Sequence, residues 1–208
     1  MRDNKKNTAM KELVFATLNK GKLREASEIL GGRYSIVSPA DRGVDSDVEE
    51  TGQSFEENSR IKAQHLYGLL KCDCFADDSG LEVDALDGAP GIFSARYAGG
   101  KGHDDSANID KLLSELAKKG SGASRRARFR TAITLIVNGE EYVFEGKMEG
   151  SISFERKGVN GFGYDPVFTP DAHPGKTVAE LSDDEKNAIS HRGAALRAMA
   201  EFLGEQRF

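Results

Sequence analysis

Four groups able to hold a phosphate chain fall within one short stretch, Thr17-Leu18-Asn19-Lys20-Gly21-Lys22. An apolar run, Leu13 to Ala16, precedes it, and LREASEIL follows with helical spacing. A hydroxyl, an amide and two ammonium groups therefore gather where a strand hands over to a helix. The unpaired N–H groups and partial positive charge of a helix start attract anions, and Gly21 allows the tight turn. The stretch is not a P-loop. No glycine lies five positions before Gly21, and Leu23 stands where that motif has Ser or Thr. Acidic residues concentrate in two places, Glu49-Glu50 and Asp77-Asp78. Carboxylates from separate segments suit a hard, oxygen-seeking cation such as Mg²⁺, which takes one or two protein carboxylates together with substrate phosphates. Successive strand residues face opposite ways, so one of Asp77 and Asp78 would meet a ligand while the other caps a turn; an Asx-turn for both is the alternative.

The remaining reactive residues are less directive. The four histidines show no metal-ligand spacing, and His191-Arg192 is placed inside a helix. Ser79 and Ser94 lack a GxSxG context, which argues against a covalent serine mechanism. GVNGFGYDPVF sets Phe162 and Tyr164 beside glycines, a loop able either to stack a base or to form a hydrophobic turn. Arg128 and Arg130 share one face of an alternating stretch that begins at Arg125; a nucleic-acid patch and an ordinary exposed sheet face both fit that pattern.

These residues need a scaffold, and periodicity supplies one. Residues 12–17 read as a buried strand, 22–30 as a helix with Leu23, Ala26 and Leu30 on one face, and 33–37 as a second strand. Ser54 and Glu57 form a capping box for a helix to about Leu70, with Phe55, Leu66 and Leu69 on its apolar side. Asn58 and Lys62, four apart, share one face of it. Residues 74–86 read as strand, turn, strand, followed by a glycine-rich loop. A helix over 105–118 carries Ile109, Leu112, Leu113 and Leu116. Alternation over 127–137 ends in Val137-Asn138-Gly139-Glu140, a hairpin signal, with strands near 141–147 and 150–155. Ser182 and Glu185 make a second capping box, opening a helix to about Leu203. The mixture predicts an α/β fold with a mixed rather than purely parallel sheet.

At 208 residues the chain suits one large domain or two small lobes, and its net charge of −5 argues against a general polyanion-binding surface. Cys72 and Cys74 sit too close for a sound disulfide and miss the usual zinc spacing, so both are expected as reduced thiols. No apolar run approaches the ~20 residues that span a bilayer. Residues 1–10 read as a flexible tail, with Met10 as a candidate start.

Taken together, ATLNKGKLRE, EETGQSFEENSRIKA, FADDSGLEVDALDGAPGIFSARYAG, GFGYDPVF and AELSDDEKNAISHRGAAL resemble the inosine triphosphate pyrophosphatase family, from residue 13 to about 200. The resemblance implies an elongated mixed β-sheet flanked by helices, in one two-lobed domain over residues 11–208, with the active site in the cleft. It implies Mg²⁺-dependent conversion of dITP, ITP or XTP to the monophosphate and pyrophosphate by a homodimer; the reduced thiols point to a cytoplasmic protein, and the net charge and lack of a long apolar run to no nucleic-acid or membrane partner. By the same resemblance Thr17, Leu18, Asn19, Lys20, Gly21 and Lys22 form the triphosphate-binding turn. Glu49 and Asp78 are the metal-associated carboxylates, Asp78 also being the proposed general base. Ser79 and Lys62 contact the substrate, and Phe162, Gly163, Tyr164 and Asp165 hold the base, with Lys186, His191 and Arg192 as further nucleoside contacts. Leu18 departs from the family, which often has Gly or Asn there, and a bulkier residue would restrict the phosphate turn. Two other readings compete: a related pyrophosphatase acting on pyrimidine or modified nucleotides, and a non-catalytic nucleotide- or RNA-binding protein using Arg125 to Arg130.

Overall fold

The computed structural model describes residues 10–45, 47–99 and 104–205. The expected tail, Met10 apart, lies outside the described residues. Six strands form one sheet: β1 (Lys11–Phe15), β2 (Tyr34–Val37), β3 (Cys74–Val83), β4 (Arg126–Val137), β5 (Glu140–Ile152) and β6 (Phe168–Pro170), in the order β2-β1-β3-β4-β5-β6. β1 pairs in parallel with β2 and β3, and every later pairing is antiparallel, so the sheet is mixed. The helices are α1 (Lys20–Leu30), α2 (Phe55–Leu70), α3 (Asp105–Lys118), α4 (Asp183–Ile189) and α5 (His191–Glu205).

Three apolar cores hold these elements. On one face of the first strands, Ala26 and Leu30 of α1 and Leu196, Met199 and Leu203 of α5 pack on Leu13, Phe15 and Phe75. On the other face, Ala63 and Leu66 of α2 pack on Val14, Ala76 and Ile136. A third core joins Leu81 and Val83 to Leu112, Phe129, Phe168 and Val178. β3 therefore runs out of the first two cores at Ala76 and into the third at Leu81. The residues between, Asp77 to Gly80, are polar or lack a side chain. β1 lies between β2 and β3, so the chain leaves it in one direction to β2 and returns past it to β3. Open parallel sheets bind ligands at such a reversal, beyond the strand ends, and here the Thr17–Lys22 turn follows β1 directly.

The structure revises several sequence expectations. Residues 74–83 form one continuous strand, with no turn at Asp77-Asp78. Pairing with β4 from Cys74↔Ile136 to Val83↔Ala127 overrides the turn-forming residues. The expected pair of strands near 141–147 and 150–155 is likewise one strand, paired with β4 from Glu140 to Ser151. Asp84–Leu86, expected as the end of a strand, is a 3-10 turn, and the glycine-rich loop that follows contains a second one, Gly91–Arg96. The last helix is broken at Ser190, which is extended at φ −67° and ψ 148°. His191 and Arg192 thus open α5 rather than lying mid-helix, and Ser190 Oγ accepts the Gly193 N–H at 2.9 Å. Leu69 is exposed, not part of the apolar side of α2. The hairpin stands as expected: Asn138 and Gly139 both have positive φ, the geometry a two-residue turn of this type needs.

Candidate active site

Each cap and strand position delivers one polar group to the zone between the cores. Asn19 is the N-cap of α1, its Oδ1 accepting the N–H groups of Gly21 (2.8 Å) and Lys22 (3.2 Å). Thr17 Oγ1 accepts the Asn19 N–H at 3.2 Å. Leu18 projects outward, 69% exposed, without positive φ, so its bulk does not distort the turn. Lys20 is exposed, whereas Lys22, further into α1, reaches Asp77 Oδ1 at 2.9 Å.

Asp77 is 1% exposed and fully engaged. Its Oδ2 accepts Arg192 Nε and Ser79 Oγ, each at 2.9 Å. Burial works against its charge, but Lys22 and Arg192 outweigh burial and hold the carboxyl far below the ordinary range. The Lys22 ammonium pKa is lowered, burial together with Arg192 and Lys62 outweighing Asp77. Ser79 shares Asp77's side of β3, and its Oγ lies 2.6 Å from Thr131 Oγ1 on the facing strand.

Asp78 points the other way, toward α2. Its Oδ2 accepts Asn58 Nδ2 and its Oδ1 accepts Lys62 Nζ, both at 3.2 Å. The i,i+4 spacing of those two residues along α2 brings them to one carboxylate. Burial pushes the Asp78 carboxyl above its usual value; Lys62 opposes this and Glu50 reinforces it. Lys62 also donates to Glu50 Oε1 at 2.8 Å, and Glu50 Oε2 accepts Arg96 at 3.4 Å. Burial disfavours the Lys62 charge, yet Asp78, Asp77 and Glu50 raise its pKa. Glu49 is exposed, while Glu50 is the residue of that acidic pair tied to Lys62.

A third group gathers beside Phe162. Lys186 Nζ donates to Asp165 Oδ2 at 2.9 Å and pairs with Glu25 Oε1 at 2.8 Å. Burial raises the Asp165 carboxyl pKa against the pull of Lys186. Asp165 Oδ2 also accepts the Phe162 N–H at 2.9 Å, which fixes the loop backbone. The Phe162 ring lies 4.3 Å from Lys186 Nζ and 5.6 Å from the Arg192 guanidinium carbon. A Cβ on Gly21 would come within 3.0 Å of that ring, so the aromatic loop reaches the phosphate turn. Tyr164 is buried and donates to the Ser94 carbonyl at 2.8 Å, and the Gly163 N–H reaches Asp105 at 2.7 Å. His191 stacks on Phe129 at 4.8 Å. Burial, then Arg192, hold its imidazole well below the ordinary pKa, and Nδ1 has no partner among the described residues.

The structure thus brings together Asn19, Lys22, Lys62, Asp77, Asp78, Ser79, Phe162, Asp165, Lys186 and Arg192. It leaves Leu18, Lys20 and Glu49 at the surface. Sequence reading passed over Glu25 and Arg96, gave Asp77 a turn-capping place as the alternative to ligand contact, and weighed Glu50 only within the acidic pair Glu49-Glu50. For Glu25 a signal existed: it follows Lys22 by three residues, on the same side of α1. Among the described residues no three His, Cys, Asp or Glu side chains form a ready metal centre. Asp78 and its neighbour Glu50 offer carboxylate oxygens, both now held by Lys62; oxygen donors of this kind suit Mg²⁺ held partly by substrate phosphates rather than a softer, fully protein-ligated metal.

Arg125 to Arg130 form no free basic patch. Arg126 pairs with Asp171, Arg128 with Asp84 and Glu149, and Arg130 with Glu82 and Glu145. No described helix is long and apolar enough to cross a membrane.

Comparison with known proteins places this geometry among relatives. The Ham1 family profile matches residues 13–202. A dITP/XTP pyrophosphatase of Halalkalibacterium halodurans is 49% identical over 196 residues, covering 93% of this chain and all of that protein. One from Bacillus subtilis is 48% identical over 196 residues, covering 93% and 98%. Among solved structures, a HAM1 protein from Coxiella burnetii superimposes with a TM-score of 0.85 at 41% identity, covering 95% of this chain and all of the other. The Staphylococcus aureus Ham1 protein gives 0.81 at 44%, covering 94% and all of that chain.

Proposed function

This chain belongs to the Ham1 family, and we propose that the polar zone between its cores hydrolyses the non-standard purine nucleotides dITP, ITP and XTP to the monophosphate and pyrophosphate. The observation that carries the reading is a run of alternating buried charges, Lys22–Asp77–Arg192–Glu25–Lys186–Asp165, which joins a phosphate-binding turn to an aromatic loop.

The triphosphate lies along the Thr17–Lys22 turn, where the α1 N–H groups and Lys22 meet its oxygens. The cations nearby are already matched by carboxylates: Lys22, Lys62, Lys186 and Arg192 face Asp77, Asp78, Glu25, Glu50 and Asp165. A triphosphate of about four negative charges therefore finds little net positive charge, which makes a divalent cation a requirement. By the resemblance, Asp78 and Glu49 would hold Mg²⁺, Glu49 reaching in from the exposed loop before α2, and the ion would supply positive charge to the phosphate oxygens.

Asp78 accepts a proton from water as the water oxygen bonds to the α-phosphorus. The bond from that phosphorus to the oxygen bridging the β-phosphate breaks, and pyrophosphate leaves with the electron pair. A raised pKa suits a base that must accept a proton and later release it.

Phe162 supplies an aromatic face for the base, and Lys186 and Arg192 lie beside it. Lys and Arg side chains only donate hydrogen bonds. A 6-oxo purine offers them an acceptor, whereas a 6-amino purine presents a donor and leaves groups unpaired, at about 1–3 kcal/mol for each clash. His191, Ser79, Gly163, Tyr164 and Asp165 complete the contacts implied by the resemblance. The same resemblance supports a homodimer, which light scattering on a sizing column tests, and the free thiols of Cys72 and Cys74 support a cytoplasmic setting.

The deciding experiment is pyrophosphate release from ITP, XTP, dTTP, UTP, GTP and ATP, with Mg²⁺ and with EDTA, by wild type and Asp78→Asn. Mg²⁺-dependent turnover of ITP and XTP, lost in the variant, supports the reading. Preference for dTTP or UTP moves the substrate to pyrimidines, and absence of any turnover overturns it.

A further inference from the structure

We propose that Glu25 is a positioning residue that sets the base selectivity of this site by orienting Lys186 and Arg192 together. The inference rests on the pyrophosphatase reading and assigns a task to a residue that reading does not use. Glu25 lies on α1, one turn beyond Lys22, and is 4% exposed. Its Oε1 pairs with Lys186 Nζ at 2.8 Å and its Oε2 with Arg192 NH1. One carboxylate therefore ties two cations from two helices, Lys186 on α4 and Arg192 at the start of α5, across the Ser190 break.

Each cation is otherwise underdetermined. Lys186 has one further carboxylate, Asp165, and a long flexible stem. Arg192 is fixed through Nε by Asp77, and its NH2 lies 3.3 Å from Ser79 Oγ. Glu25 adds the charged hold on NH1, so that all three guanidinium nitrogens are engaged. With both edges fixed, the N–H groups of Arg192 not used by Asp77, Glu25 and Ser79 keep a single direction beside Phe162. Donors aimed this way distinguish an acceptor from a donor on the base; donors free to rotate follow either one. Because Glu25 shares a helix with the phosphate turn, it also fixes the distance between the two ends of the substrate site.

The test uses the full chain. Glu25→Gln keeps the shape but turns an N–H₂ group toward one of the cations. Its folding is checked by circular dichroism and its kinetics read with ITP and ATP, with inhibition by inorganic tripolyphosphate as a probe of the phosphate end. The expected result is a rise in KM for ITP and a fall of about tenfold or more in the ITP:ATP ratio of kcat/KM, with tripolyphosphate inhibition retained. Glu25→Asp restores the charge but not the reach, and should recover stability without the full ratio. If Glu25→Gln does not fold, the same ratio is read on Glu25→Asp. A wild-type ITP:ATP ratio in the folded variant overturns the proposal. Wild type that turns over neither ITP nor XTP overturns the pyrophosphatase reading instead, so the two failures are distinct.

Discussion

Asp77 and Asp78, adjacent on β3, send their carboxylates to opposite sides of the sheet and into opposite electrostatic surroundings. Burial raises both carboxyls; at Asp77 the cations Lys22 and Arg192 outweigh it and the pKa falls, whereas at Asp78 Lys62 and Asn58 do not offset burial and the nearby Glu50, and the pKa rises. The strand pleat separates them, and the flanking helices decide what each one finds. One carboxylate becomes a permanent anion that locks two cations, and the other stays able to take a proton.

Substitution should therefore separate the two. Asp77→Asn removes the anion between two buried cations and should cost about 3–5 kcal/mol of stability. Asp78→Asn leaves Lys62 paired with Glu50 and should change stability by no more than about 1 kcal/mol, while kcat falls by roughly 10²–10⁴-fold. Thermal melts beside ITP kinetics read both. Equal destabilisation by the two variants would contradict the assignment.

The acid limb of kcat/KM should report Asp78. The base works only when ionised, so the rate rises with pH through its pKa, which lies above the ~3.9 of an ordinary Asp. Lys62→Met removes a cation that favours the carboxylate and should move the limb to higher pH. Glu50→Gln removes a neighbouring anion and should move it lower. pH–rate profiles of the three proteins check the order, and either shift in the opposite sense refutes the role of Asp78.

Metal removal should silence the enzyme, since the cations in the site are already committed to carboxylates. EDTA should abolish ITP turnover and added Mg²⁺ restore it. Glu49→Gln should raise the Mg²⁺ needed for half-maximal rate by about tenfold, the loss of roughly 1.4 kcal/mol of binding. If only Glu50→Gln moves that requirement, the metal carboxylate is Glu50.

Gly146 marks where β5 passes beneath the first turn of α5. A Cβ there would collide with the His191 carbonyl and lie 3.0 Å from the Ala195 nitrogen, both backbone atoms that cannot swing aside. Gly146→Ala should cost about 1–3 kcal/mol and raise KM for ITP by shifting Arg192. A wild-type melting temperature together with wild-type KM would show that the strand and helix tolerate the extra atom.

Much of the scaffold was legible because its signals are local. The Asn138-Gly139 turn, the Ser54 and Ser182 caps and the Asn58/Lys62 face each depend on neighbours within about one helical turn. β3 misled for the same reason: Asp-Asp-Ser-Gly favours a turn by itself, and only ladder pairing with β4 holds it straight. The break at Ser190 was hidden inside a continuous helical pattern. It turns His191 and Arg192 inward, and the Gly193 N–H bonds to Ser190 Oγ.

The sequence by itself determined most of the elements, the mixed α/β class and, through its motifs, the family. What only the tertiary structure decided is which charges meet. Glu25 and Arg192 are 167 positions apart, and Lys22 and Asp77 are 55 apart. No local pattern links them. A buried charge is stable only beside an opposite one, and the partner is fixed when the cores on either side close and remove the water between them. The alternating chain from Lys22 to Asp165, and the separate duties of two adjacent aspartates, follow from that closure.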